Sequence, residues 1–202
     1  MNIILASKSP RRKQLLSLLN ISFEICPSTI DENIEHLPPR DFVEELSKQK
    51  AIDVSDIYDE GIIIGADTIV VLDDTILGKP KDEADAFNIL HMLSGRSHSV
   101  YTGLCFVKKD KNTNDLAVHC FSEETKVTFA TLTDSEINAY IATGSPMDKA
   151  GAYGIQDDWG AVFVKRIDGD YYNVVGFPLH AFYREMNIFE PNFFSQKNEQ
   201  RV

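Results

Sequence analysis

The stretch GIIIGADTIVVL, residues 61–72, is the most apolar in the chain, and one carboxylate, Asp67, interrupts it. A run this apolar reads as a strand covered on both faces, hence a central strand rather than an edge. That reading makes the rest of the chain the cover for a sheet. Burying a carboxylate without partners costs several kcal/mol, so Asp67 needs a metal ion, a lysine or a place at the sheet's rim. The first two are functional readings and the third is not.

Working outward, NIILA near the start reads as a second buried strand. Ser9 suits an N-cap and Pro10 a first helical position, with Leu15, Leu16, Leu18 and Leu19 as the apolar face of that helix. ISFEICPS predicts a strand, and PPRDFVEELSKQKAIDV a helix with Phe42, Val43 and Leu46 turned inward. DDTILG completes a hairpin with the central strand. Asp82 caps the helix KDEADAFNILHMLSG, and Gly95 ends it. HSVYTGLCFV and LAVHCFSEETKVTFATL are long strands joined by the polar loop KKDKNTND. Thr133 to Glu136 is a capping box for the next helix. WGAVFVKRI, DG and DYYNVV predict another hairpin, and GFPLHAFYREMNIF a closing helix. The sum is a mixed α/β chain, with a polar and loose tail from Glu190.

The 202 residues carry a formal net charge of −11. This argues against nucleic acid or an anionic membrane as partner. No apolar run approaches transmembrane length, and residues 1–20 do not form a secretory signal. The three cysteines, Cys26, Cys105 and Cys120, form no C-x-x-C pair. Each reads as a small buried apolar residue in a reducing cytoplasm, with neither a zinc site nor a disulfide expected.

Against that acidic background, ASKSPRRK at 6–13 collects Lys8, Arg11, Arg12 and Lys13. Cations at a helix N-terminus oppose the dipole, so a merely solvated basic turn gains nothing. An anion held by backbone N–H groups and guanidinium forks explains the cluster, although no Walker glycine pattern is present. Lys50 shares the helical face of Val43 and Leu46, which makes it either a snorkelling lysine or a buried one. Lys79 in LGKP adds a cation after the hairpin. Asp31 and Glu32 supply carboxylates, or simply a solvated acidic loop. In DKAGAYGIQ, 148–156, Gly151 and Gly154 leave room for close approach to a ligand, and Gln156 carries a donor and an acceptor suited to a base edge. An ordinary flexible connection is the competing reading.

Taken in order, LASKSPRR, DE at 31–32, GADTIV, LGKP, LSGRSHSVYTG, TKVTF, MDKAGAYGIQ and GDYYNVVGFPL resemble the motifs of the Maf family. The resemblance runs from residue 3 to about 188. It implies an elongated mixed β-sheet flanked by helices with a deep central cleft, similar to inosine triphosphatase-like folds. It also implies a single domain over 1–189 with two lobes around the cleft, a tail over 190–202, and a homodimer.

The implied activity is nucleoside triphosphate pyrophosphatase, giving a monophosphate and pyrophosphate. The segment MDKAGAYGIQ is similar to that of the dTTP/UTP branch. The resemblance assigns Asp67 as proton acceptor and Arg11, Thr68 and Gln156 as specificity positions; read with the residues above, Glu32, Lys50 and Lys79 complete the catalytic set. Ser7, Arg11, Arg12, Thr68 and Gln156 bind substrate, and Glu32 and Asp67 hold Mg²⁺ or Mn²⁺. Three alternatives stay open: a 7-methyl-GTP or other modified-nucleotide pyrophosphatase, a phosphatase or kinase-like enzyme, and a non-catalytic nucleotide-binding regulator of cell division.

Overall fold

The central strand forms where the apolar run places it. In the computed structural model, which describes residues 2–32, 37–111, 116–191 and 193–194, β3 spans Gly61–Leu72 and every residue in it except Thr68 is buried. β1 (Ile3–Ala6) pairs with it in parallel, Ile4 opposite Ile63 and Ala6 opposite Gly65. β2 (Glu24–Ile25) lies parallel on the outer side of β1. The seven-stranded mixed sheet runs β2-β1-β3-β5-β6-β7, with β4 (Thr75–Leu77) on β3 as an antiparallel hairpin. Its other strands are β5 (Ser97–Lys109), β6 (Leu116–Phe129) and β7 (Val164–Asp168). Of the predicted strand ISFEICPS only two residues pair. Pro27 follows after Cys26 and has no N–H to offer the ladder, and a short edge strand resists edge-to-edge association.

The chain divides into two compact units. The first comprises Met1–Asp67, Thr102–Glu123 and Gly176–Val202. Within it, α1 (Pro10–Ser17) starts at Ser9, whose Oγ accepts the Arg12 N–H. Leu15 and Leu16 are buried, but Leu18 is exposed, because the helix ends at Ser17 and the expected apolar face stops with it. α2 (Pro39–Ser55) buries Val43, Leu46, Lys50 and Val54. It lies against the strands at backbone distance. A Cβ on Gly65 would fall 1.9 Å from Ser47 O, and one on Gly103 would fall 2.2 Å from Val43 O. Two glycines, one in β3 and one in β5, therefore let the helix backbone rest on the sheet. α7 (Leu179–Phe189) closes this unit. The tail does not begin as loosely as its composition suggests: Phe193 is buried and Phe194 lies 4.8 Å from the Tyr183 ring.

The expectation of three unpaired cysteines fails here. Cys105 in β5 and Cys120 in β6 are joined in a disulfide, their Cα atoms 4.1 Å apart. Cys26 is free, half-buried against the same apolar cluster as Cys105.

The second unit comprises Thr68–Tyr101 and Glu124–Val175. Asp73 and Asp74 take left-handed conformations in the β3–β4 turn, as a two-residue hairpin requires. α3 (Glu83–Leu93) is capped by Asp82, whose Oδ1 accepts the Asp85 N–H at 2.8 Å. α4 (Asp134–Ile141) carries the predicted capping box of Thr133 and Glu136. Of the β5–β6 connection, residues 112–115 lie outside the described residues.

The predicted hairpin at 159–175 is a correction. WGAVF lies in a helix, α5 (Asp158–Phe163), and only β7 is a strand. Gly160 packs against Gly154 O, where a Cβ would fall at 2.4 Å, and Phe163 packs edge-on to Tyr140. DYYNVV turns instead into α6 (Tyr171–Val175). Asp170 Oδ1 accepts the Tyr172 N–H at 2.7 Å, and the Asp170 N–H donates to Thr125 Oγ1 at 3.0 Å. One local bond and one to a distant strand together outcompete a return strand.

Two outcomes follow from this packing. Gly65→Ala must push α2 off β3 and should cost about 3 kcal/mol in urea unfolding. Gly78→Ala, where nothing lies within 4 Å, should stay within about 0.5 kcal/mol. Equal stabilities would refute the close approach.

The second outcome concerns His98, buried with its Nε2 2.8 Å from Tyr153 Oη. Burial lowers its imidazole to about 4 from 6.5. The unfolded chain therefore binds more protons than the folded one between those values, and stability falls as pH drops through that window. At pH 5 His98 should account for about 2 kcal/mol of the loss, which His98→Gln removes. Wild-type and variant proteins with the same change in unfolding free energy between pH 7 and pH 5 would contradict this.

Candidate active site

Parallel strands deliver their carboxyl ends to one side, where open α/β sheets bind ligands. Ser7 follows the end of β1, Glu32 lies in the segment after β2, and Asp67 is two residues past the part of β3 paired with β1. α1 begins just beyond Ser7, so its unpaired N–H groups belong to the same region.

Asp67 is 8% exposed, and its partner is Lys50. The Lys50 ammonium donates to Asp67 Oδ1 at 2.8 Å and pairs with Glu32 Oε1, also at 2.8 Å. One buried cation thus holds two carboxylates from two separate segments. Lys50 does not snorkel: it is 8% exposed, and its ammonium ends on the two carboxylates. Glu32 is the wetter carboxylate, its side chain 55% exposed, and is open to a ligand.

Arg12 is held from two directions. Its Nε donates to Gly176 O at 3.0 Å and its Nη1 to Ser7 Oγ at 3.2 Å. Ser7 Oγ also accepts the Ser9 N–H at 3.2 Å. Burial lowers the Arg12 guanidinium from its ordinary value; Asp67 opposes that shift, Arg11 adds to it, and Glu32 opposes it. The first unit therefore brings together Ser7, Arg11, Arg12, Glu32, Lys50 and Asp67. The acceptor role of Gly176 was not legible in the sequence.

Thr68, Lys79 and Gln156 belong to the second unit. Thr68 follows Asp67 in β3 and is half-buried, and Lys79 is exposed just after β4. Gln156 is the first exposed residue after a buried run from Gly151 to Ile155. Around it are two 3-10 turns, Ser145–Asp148 and Ala150–Ala152. The two glycines expected to admit a ligand are used internally. Gly151 takes φ +68° with Val70 where its Cβ would be, and its N–H donates to Gly78 O at 3.0 Å. Gly154 is covered by the Lys149 stem. The segment is braced, not an ordinary flexible connection.

Among the described residues no group of three or more His, Cys, Asp and Glu converges. Two carboxylate oxygens do, each 2.8 Å from the same nitrogen. That donor set fits an ion such as Mg²⁺, which takes one or two carboxylates and completes its shell with substrate phosphates and water.

The family model described as Maf-like protein matches residues 2–189. This chain belongs to the Maf family. It is 50% identical over 188 residues to a protein of Bacillus cytotoxicus named dTTP/UTP pyrophosphatase, covering 93% of this chain and 95% of that one. Proteins with the same name from Bacillus cereus strain AH187 and Bacillus mycoides strain KBAB4 are 49% and 47% identical, each with 93% of this chain and 95% of theirs covered. The family motifs LASKSPRR and GADTIV thus carry the Ser7, Arg12 and Asp67 geometry described above.

Lys50→Met should leave Asp67 buried and uncompensated, costing about 3 kcal/mol of stability at pH 7. Adding Asp67→Asn to it should restore part of the loss, as read from a double-mutant cycle in urea. Strictly additive losses would mean that the two groups do not interact.

Proposed function

We propose that this chain hydrolyses dTTP and UTP to the nucleoside monophosphate and pyrophosphate. The observation that supports the chemistry is the pair of carboxylates, Asp67 and Glu32, held by Lys50 beside Arg12 and Ser7. The choice of substrate rests on relatives about half identical to this chain over nearly its whole length, named dTTP/UTP pyrophosphatase.

Phosphoryl chemistry asks mainly for positioning and charge neutralisation. Arg11, Arg12, Lys50 and Lys79 share the phosphate charge. Ser7 and Arg12 orient it through their mutual bond. Glu32 and Asp67 are the residues that would hold Mg²⁺ or Mn²⁺. Such an ion, when bound, neutralises the α-phosphate and lowers the pKa of the attacking water. Asp67 takes that water's proton as its oxygen attacks the α-phosphorus, and the bond to the β-phosphate breaks with pyrophosphate as leaving group. Lys50 orients Asp67 for this role. Thr68, Arg11 and Gln156 select the base.

We further take residues 1–189 as a single domain of two lobes, acting as a homodimer in the cytoplasm. Among the described residues no helix is long and apolar enough to cross a membrane, and the net charge of −11 disfavours nucleic acid.

Pyrophosphate release from dTTP, UTP, CTP, GTP and 7-methyl-GTP tests the reading. The two named substrates should lead in kcat/KM, and a guanine nucleotide in the lead would replace the branch while keeping the reaction. Asp67→Asn should lower turnover by about 10²-fold or more, with the fold intact by circular dichroism. Turnover near the wild-type level would remove Asp67 from the chemistry.

A further inference from the structure

Thymine and uracil offer an N3–H donor beside an O4 acceptor, and cytosine reverses both. A glutamine amide satisfies either pattern if it is free to turn over. Selectivity by Gln156 therefore depends on what holds Gln156, and the sequence around it supplies a buried lysine that the proposed chemistry does not use.

Lys149 is 7% exposed. Its ammonium donates to Ser145 O at 2.6 Å, to Ser145 Oγ at 3.3 Å and to Asp148 Oδ1 at 2.7 Å, and pairs with Asp157 Oδ2 at 3.4 Å. Its charge is thus committed within the stretch 145–157 and is not offered to phosphate. Asp157 is the covalent neighbour of Gln156. Its N–H donates to Gly154 O at 3.2 Å, closing the turn from which Gln156 projects. The Lys149 stem fills the space over Gly154, where a Cβ would fall 2.6 Å from Cε. The Gly154 N–H donates to Tyr140 Oη at 3.2 Å. Tyr153, next in the chain, is buried and bonded to His98. The backbone on either side of Gln156 is therefore tied down at Gly154 and Asp157, and the ammonium of Lys149 is where the ties at 145, 148 and 157 meet.

We infer that Lys149 is a positioning residue that fixes the turn carrying Gln156, and with it the selection of a base with N3–H beside a 4-carbonyl. This rests on the dTTP/UTP reading above. Lys149 acts through Asp157 and Gly154, and touches no part of the substrate. Loss of its ammonium lets the turn carrying Gln156 shift, so that the side chain no longer discriminates against cytosine.

The test uses two variants of the full chain. Lys149→Met keeps the stem and removes the charge. Asp157→Ala removes the tie beside Gln156 and leaves the other Lys149 contacts in place, so it answers even if the first fails to fold. For each, kcat/KM is measured for UTP and CTP, and the affinity for pyrophosphate alone by calorimetry. The expected result is a UTP-to-CTP ratio lowered about tenfold, the scale of one lost polar match, with pyrophosphate affinity changed less than about twofold. A purely structural role would lower both nucleotides and pyrophosphate together, and that outcome, or an unchanged ratio in Asp157→Ala, overturns the inference. A wild-type protein that does not prefer UTP to CTP overturns the dTTP/UTP reading and this inference with it.

Discussion

The contact of α2 with β3 through Gly65 sets the geometry of everything that follows. A helix normally stands off a sheet by the height of its side chains; here the Ser47 carbonyl occupies the space a Cβ would take. One turn further along α2, Lys50 consequently reaches Asp67 with its chain buried. The same ammonium then draws in Glu32 from a loop that has no strand to fix it. A single missing side chain in the most apolar strand thus assembles two carboxylates and a cation. Stability alone does not account for such a pair, since a hydrophobic replacement of similar volume is often as stable. The pair presents carboxylate oxygens just beyond the stretch where β1 and β3 run side by side.

Much of this was legible. Asp67 stood out because an unpartnered carboxylate in IIIGADTIVVL costs too much to be accidental. Lys50 stood out because helical spacing put it on the face of Val43 and Leu46. Their partnership was not legible, because nothing local relates residues 17 apart on a helix and a strand. Gly65 carried a signal, a glycine inside a strand, which marks close approach. Capping chemistry at Ser9, Asp82 and Thr133 was read directly, since each cap bonds within three residues.

The failures have a common cause. WGAVF and DYYNVV carry strand-like residues, and the hairpin reading followed from them. What decides their conformation is non-local: Gly154 O receives Gly160, and Thr125 receives Asp170 and Asn173. The cysteines failed for the same reason. Cys105 and Cys120 are 15 residues apart in two different strands, and only the pairing of β5 with β6 brings them together. In each case tertiary contact overrode a correct local preference.

The bond from Arg12 to Gly176 spans 164 residues. Its consequence is one of timing during synthesis. The first unit is written in three pieces, with the second unit's residues threaded between them, and its last piece begins at Gly176. A ribosome that has released residues 1–175 has emitted every carboxylate and cation of the site except the acceptor that holds Arg12 Nε. The guanidinium therefore acquires its anchor only when Gly176 emerges, after every residue of the second unit has been made.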